Sequence, residues 1–237
     1  MALINDIASD VNTIFCSTWS TTEKTTIPVA TDLALGNHAG HFEEMTILYA
    51  DIDGSTSMVD SHSWQISAEV YKAYLHCAAK LIKAEGGTIT AYDGDRVMAV
   101  FVGDSKNTSA VRCALKINSM VVGVVNPALK AQYSWLDLTV RHSIGIDTSE
   151  IYVARIGVKN DNDLVWVGRA ANHAAKLTTL PEYPIWITSD VYKNMNDSVK
   201  ITADGLNVWE ECTWTAMNKA VIYRTNGNWI FGSNDIL

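Results

Sequence analysis

The 237-residue chain predicts an α+β fold, a mixed β-sheet with helices packed on it. Three observations carry that expectation. Ile47-Leu48-Tyr49-Ala50 is an apolar run that ends in Asp51-Ile52-Asp53-Gly54-Ser55-Thr56, so it reads as a buried strand leaving the core at two carboxylates. Further on, Thr88-Ile89-Thr90-Ala91-Tyr92 and Arg96-Val97-Met98-Ala99-Val100-Phe101 are strand-like runs joined through Asp93-Gly94-Asp95, the composition of a hairpin turn. Between them Trp64, Val70-Tyr71, Tyr74-Leu75, Ala78 and Leu81-Ile82 recur at helical spacing, with Ser61 and Ser63 as N-cap choices and Gly86-Gly87 as the stop.

The remaining elements follow in order. Residues 1–40 predict a helical extension, because Ile4, Ile7, Val11 and Ile14-Phe15 fall at helical spacing before a Ser/Thr-rich loop punctuated by Pro28 and Gly36. After the hairpin, Ala110-Val111, Ala114-Leu115, Ile117 and Met120-Val121 mark a second helix, expected to end near Gly123 and Pro127. Leu136 to Ile146 and Ile151 to Ala154 alternate as strands, with a turn expected at Asp147 to Glu150. Strand, helix, hairpin, helix, strand is the layering of ferredoxin-like folds, with helices on one face of the sheet. Val165-Trp166-Val167 then runs into Gly168 and an Ala-rich helix closed by Pro181. Further strands are expected between residues 185 and 225, including Val199 to Ile201 and Val208-Trp209, and residues 226–237 read as a peripheral tail.

Composition limits the partners. With 48% hydrophobic residues the chain can bury a full core, and a net charge of −8 excludes a general nucleic-acid or membrane-surface binder, which needs a basic face. Cys16, Cys77, Cys113 and Cys212 are scattered without C-x-x-C spacing, the N-terminus lacks a basic start, and no apolar run approaches a membrane span. A cytoplasmic location is the expectation.

The chemistry starts from the two acids. With the first strand beside the hairpin, Asp51 and Asp95 converge, and two close carboxylates repel unless a cation is shared between them. Hard oxygen ligands suit Mg²⁺ or Mn²⁺, which binds through one or two carboxylates plus substrate phosphates. On the Ala-rich helix, Asn172 and Lys176 lie four apart and project from one face, suited to ribose and phosphate, although by themselves two polar residues at this spacing more often mark a solvated surface. His62 and His76 read as ordinary edge residues, without a second ligand at zinc spacing.

Three stretches together resemble the class III nucleotidyl cyclases: Tyr49-Ala50-Asp51-Ile52-Asp53-Gly54-Ser55-Thr56, then Gly94-Asp95, then Gly168, Asn172, Ala174 and Lys176. The resemblance implies a catalytic domain over residues 41–225 and a head-to-tail homodimer with sites at the interface. Asp51 and Asp95, with the Ile52 backbone, would hold two metal ions, Mg²⁺ or Mn²⁺. The Asp53, Gly54, Ser55 and Thr56 turn would bind the β- and γ-phosphates. Asn172 and Lys176, from the other copy, would serve catalysis. The implied reaction is attack of a ribose 3′-hydroxyl on the α-phosphorus of a nucleoside triphosphate, releasing pyrophosphate.

Three departures from the family pattern bear on substrate. Ala91 and Val165 stand where purine-using members place polar base readers, so a purine edge would lose its partners at about 1–3 kcal/mol for each buried group. Tyr49 replaces the usual Phe, adding bulk to the base pocket. The chain in these respects resembles the pyrimidine cyclases of bacterial Pycsar anti-phage systems. That implies cyclic UMP, with cyclic CMP the alternative, made as a second messenger for a separate effector protein. Adenylate cyclase activity and a silent nucleotide-binding module are the other readings. Lys176 stands in place of the family Arg, keeping charge but losing the planar fork, so Arg169, Arg155 or Lys219 could assist.

Overall fold

Alternation along the second strand sets the layout, seen in a computed structural model that describes residues 1–232 and 235–237. The elements run α1 (Ala2–Cys16), β1 (Ser20–Glu23), β2 (His38–Asp53), α2 (Ser55–Ser61), α3 (Trp64–Ala84), β3 (Thr88–Asp93), β4 (Arg96–Phe101), α4 (Lys106–Met120), α5 (Asn126–Gln132), β5 (Arg141–Val158), β6 (Asp161–Val167), α6 (Arg169–Leu177), β7 (Ile185–Thr188), α7 (Ser189–Asn194), β8 (Glu210–Trp214), β9 (Ala220–Thr225), β10 (Trp229–Ile230) and β11 (Asp235–Ile236). They form two units, one of Met1–Glu43 with Glu150–Gly168 and a larger one of Glu44–Ser149 with Arg169–Leu237. The long strands β2 and β5 run through both.

In the larger unit the sheet order is β3-β4-β2-β5-β7-β9-β8. The pairs β3–β4, β2–β4, β7–β9 and β8–β9 are antiparallel and β5–β7 is parallel, which makes the sheet mixed as expected. Leu48, Ala50 and Ile52 of β2, Val97, Ala99 and Phe101 of β4, and Ile144 and Ile146 of β5 point to one face. There they meet Val70, Tyr74, Ala78 and Ile82 of α3 and Ala110, Ala114 and Ile117 of α4 in a single apolar cluster. Burial on this scale is the main force holding the sheet to its helices. Helices do not occupy one face alone: α6 packs on the other side of β5. A Cβ on Gly145 would stand 2.1 Å from the Ala174 carbonyl oxygen and 2.7 Å from Leu177 Cβ. That face also carries Tyr49, Asp51 and Asp53.

Several elements differ from the sequence expectation, each for a physical reason. The helix begun by α4 does not stop at Gly123: residues 121–125 form a π-helical turn that leads directly into α5, with Pro127 in its first turn. The wider turn accommodates a proline that has no N–H to donate. The resulting helix, Lys106–Gln132, is long and apolar enough to cross a membrane, but its apolar side lies in the core cluster. Asp147 to Glu150 is not a turn, because β5 continues through it; Leu136 to Val140 precede that strand. Val199 ends a single 3-10 turn and Val208-Trp209 lie before β8, while Ser20–Glu23, read as loop, pairs in parallel with β2. Trp64, placed on the apolar face of α3, is exposed. Ser63 occupies the N-cap without a side-chain cap bond.

The C-terminal stretch is not peripheral. Trp229 and Ile236 are buried, and the Asn118 amide donates to the carbonyls of Asn226 and Gly227. Within residues 226–237, Ser233 and Asn234 lie outside the described residues.

The smaller unit has its own organisation. All of α1 is exposed, and the Asn37 amide ties its end by donating to the Ile14 and Ser17 carbonyls. His41 lies between Glu23 and Glu150, at 2.5 and 2.7 Å, and stacks on Tyr152. The hydrogen bond to Glu23, more than any other contact, raises the imidazole above its usual pKa.

Candidate active site

The register of three strands brings the two acids together. Tyr49 faces Met98 and Ala50 faces Val97 across β2 and β4, while Asp93 faces Arg96 across the β3–β4 hairpin. Its two turn residues are therefore Gly94 and Asp95, and Gly94 takes φ 62°, the conformation a glycine supplies at least cost. Asp95 thus sits beside the end of β2, where Asp51 leaves the core. Burial pushes the Asp51 carboxyl up to about 6, and the negative charge of Asp95 adds to the shift. Below Asp51 the buried Tyr74 hydroxyl donates to its backbone carbonyl at 3.4 Å, fixing the strand end.

Asp95 Oδ2 is buried without a hydrogen-bond partner. A buried anionic oxygen with no donor is costly unless a cation completes it. Ile52 turns its side chain into the core, leaving only its backbone at the site. Among the described residues no cluster of three or more His, Cys, Asp and Glu side chains forms a closed metal cage. Two carboxylates and a backbone group fit a hard cation that draws its other ligands from water and phosphate.

The turn that follows is shaped for close approach. Gly54 adopts a left-handed conformation, φ 76° and ψ 22°, and caps α2, whose first N–H groups at Ser55 and Thr56 have no acceptor within the helix. Beside it Arg141 Nε lies 3.2 Å from the Asp53 carboxylate, both side chains exposed.

Asn172 and Lys176 project from α6 into solvent, with Lys176 Nζ 4.0 Å from Met217 Sδ. What holds α6 is a buried acid the sequence had assigned to a turn. Asp147 is fully buried and accepts hydrogen bonds from the Thr188 hydroxyl at 2.6 Å, the Thr148 N–H at 2.8 Å and Arg169 Nε at 3.2 Å. His173 Nδ1 lies 3.3 Å away. Burial pushes the Asp147 carboxyl up and the His173 imidazole down. Arg169 and His173 thus anchor one side of α6, so Asn172 and Lys176 face outward on an adjacent side. Arg169 is also held by Asp190, and Arg155 by Asn162, while Lys219 is exposed.

Of the expected base-pocket residues, Tyr49 and Ala91 share one sheet face, since both stand opposite Met98. The Arg96 guanidinium lies over the Tyr49 ring, 5.4 Å from its centroid, and bonds Asp93 at 3.0 Å. Burial raises the Tyr49 hydroxyl pKa. Val165 is exposed on β6 in the smaller unit, opposite Ala154. Arg96, Arg141 and Asp147 escaped the sequence reading. For Arg96 the usable signal was a cation at the start of a strand, two residues from a buried Met on the same face.

Comparison with known proteins accords with this geometry. Residues 38–208 match the adenylate and guanylate cyclase catalytic domain, and the chain belongs to that family of nucleotidyl cyclases. Among its relatives, the uridylate cyclase of Burkholderia cepacia is 52% identical over 218 residues, 92% of this chain and 94% of the relative. The uridylate cyclase of Xanthomonas perforans is 46% identical over 230 residues, covering 97% and 99%. An adenylate cyclase of Anabaena cylindrica is 29% identical over 67% of this chain and 32% of its own length. Among solved structures, the guanylyl cyclase Cya2 superposes with a TM-score of 0.67 at 22% identity, covering 83% of this chain and 98% of that one. The adenylyl cyclase CyaB from P. aeruginosa gives 0.63 at 21%, covering 79% and 95%. At such identity the structures establish the fold.

Proposed function

We propose that this chain is a uridylate cyclase, converting UTP to 3′,5′-cyclic UMP and pyrophosphate in a homodimer whose sites each combine residues of two copies. The observation that carries the reading is the unpartnered Asp95 carboxylate oxygen beside the raised Asp51 carboxyl, a pair waiting for a cation. Support for the substrate comes from the uridylate cyclases that match almost the whole chain.

Asp51, Asp95 and the Ile52 backbone would hold two divalent cations, Mg²⁺ or Mn²⁺, which when bound ease loss of the 3′-hydroxyl proton and stabilise charge on the transferring phosphoryl group. The rest falls to the chain's own groups. The Asp53–Thr56 turn offers its N–H groups to the β- and γ-phosphates. Asn172 of the second copy orients the ribose, and its Lys176 adds positive charge at the α-phosphate. The 3′-oxygen bonds to the α-phosphorus as the bond to the bridging oxygen breaks, pyrophosphate departs and the hydroxyl proton passes to solvent. Tyr49 narrows the space for the base, and the Ala91 side chain offers no partner to a purine edge.

The product is a signal for a separate effector protein in anti-phage defence, by the likeness to Pycsar cyclases. Four free thiols, Cys16, Cys77, Cys113 and Cys212, suit a reducing cytoplasm. Incubating the protein with each of the four ribonucleoside triphosphates and Mn²⁺, with products read by mass spectrometry, tests the reading. Cyclic UMP should dominate and fall to background in Asp51→Ala; cyclic AMP as the main product would contradict it.

A further inference from the structure

We propose that Arg96 is the residue that reads the 4-position of the pyrimidine, donating a hydrogen bond to uracil O4 and thereby selecting UTP over CTP. This rests on the proposed function in taking Tyr49 and Ala91 as the walls of the base pocket.

The register places Arg96 in that pocket. Ala91 and Tyr49 both stand opposite Met98, and Asp93 stands opposite Arg96. Residues opposite one another in an antiparallel pair share a face, and residues two apart on one strand share it too. Tyr49, Ala91, Asp93, Arg96 and Met98 therefore line one face at one end of the sheet. Met98 is buried and apolar, and Ala91 is apolar, so neither satisfies a carbonyl of the base. The Arg96 guanidinium lies over the Tyr49 ring at 5.4 Å, and Asp93 steadies it at 3.0 Å. Its side chain retains 33% exposure, so it can meet a ligand.

The chemistry of the two pyrimidines differs at one place that matters. Both offer O2 as an acceptor, but uracil presents O4, an acceptor, where cytosine presents an N4 amine, a donor. Guanidinium has five N–H donors and no acceptor. It bonds uracil at that position, whereas against cytosine donor meets donor. Sites built to hydrogen-bond one substrate group reject the analogue lacking it more strongly than apolar pockets reject a change in size.

Equilibrium binding of 3′-deoxy-UTP and 3′-deoxy-CTP, which cannot cyclise, tests this without relying on turnover. The wild-type protein with Mn²⁺ should favour the uridine analogue by at least ~10-fold, and Arg96→Gln, with an amide that can also accept, should remove most of that preference. Arg96→Lys, still a donor without an acceptor, should keep the preference. Independently of any variant, the wild type should bind the 3′-deoxy triphosphate of pyrimidin-2-one, which lacks the 4-oxygen, ~10-fold more weakly than 3′-deoxy-UTP. Equal weakening of both analogues in Arg96→Gln would overturn the assignment and place Arg96 on the phosphates. So would wild-type affinities that do not distinguish the bases. Those results would leave cyclic UMP synthesis standing, while an Arg96-dependent preference in a protein that makes no cyclic UMP would sink only the proposed activity.

Discussion

At the scale of single residues, function at this site works against stability. The Asp51 carboxyl, raised to about 6 by burial and by Asp95, holds its proton more tightly in the folded protein than in the unfolded chain. In the metal-free protein this group therefore favours folding as pH falls through about 6 and disfavours it above. Binding of the proposed cation would have the opposite dependence, because it must displace the proton. Titration of Mn²⁺ by calorimetry should show affinity near its plateau above pH 7 and falling by about tenfold per unit below pH 6, with the dependence lost in Asp51→Asn. The approach of the two acids was legible in the sequence because a strand end and an Asp-Gly hairpin are local signals that fix where Asp51 and Asp95 lie. Asp147 and Arg96 were not legible. An acid in mid-strand and a cation at a hairpin foot acquire meaning only from Thr188, His173 and Tyr49, which lie far along the chain.

At the scale of elements, the position of α6 decides whether Asn172 and Lys176 can serve a second copy. Its seat depends on Gly145, where the Ala174 carbonyl comes too close for any side chain. Gly145→Ala should cost about 3 kcal/mol by overpacking, seen as a lower thermal midpoint, and should depress turnover in the fraction that remains folded. A substitution that leaves the midpoint unchanged would mean that α6 is seated otherwise. The helices α3 and α6 were readable from spacing and from glycine and proline boundaries. The continuation of α4 through Gly123 and Pro127 was not, since a π-helical turn absorbs both breakers without any mark in the apolar pattern. The polar stretch from Asp147 to Glu150 likewise resembled a turn, although partners distant in sequence keep it extended.

At the scale of the whole molecule, one copy carries both groups of residues that the proposed chemistry uses, with the acids at the end of β2 and the β3–β4 turn and the exposed Asn172 and Lys176 on α6. The mixed sheet and its helices follow from patterning, and the family match confirms the class of fold. Assembly is the part no periodicity encodes. The central claim is that each active site draws on two copies, and mixing inactive variants tests it most directly. Asp51→Asn and Lys176→Ala should each abolish cyclic UMP formation while leaving the subunits folded and able to associate. Unfolded and refolded together in equal amounts, they should recover about a quarter of wild-type turnover, since half the dimers are mixed and each keeps one of two sites. A mixture that forms mixed dimers yet stays inactive would contradict the shared site.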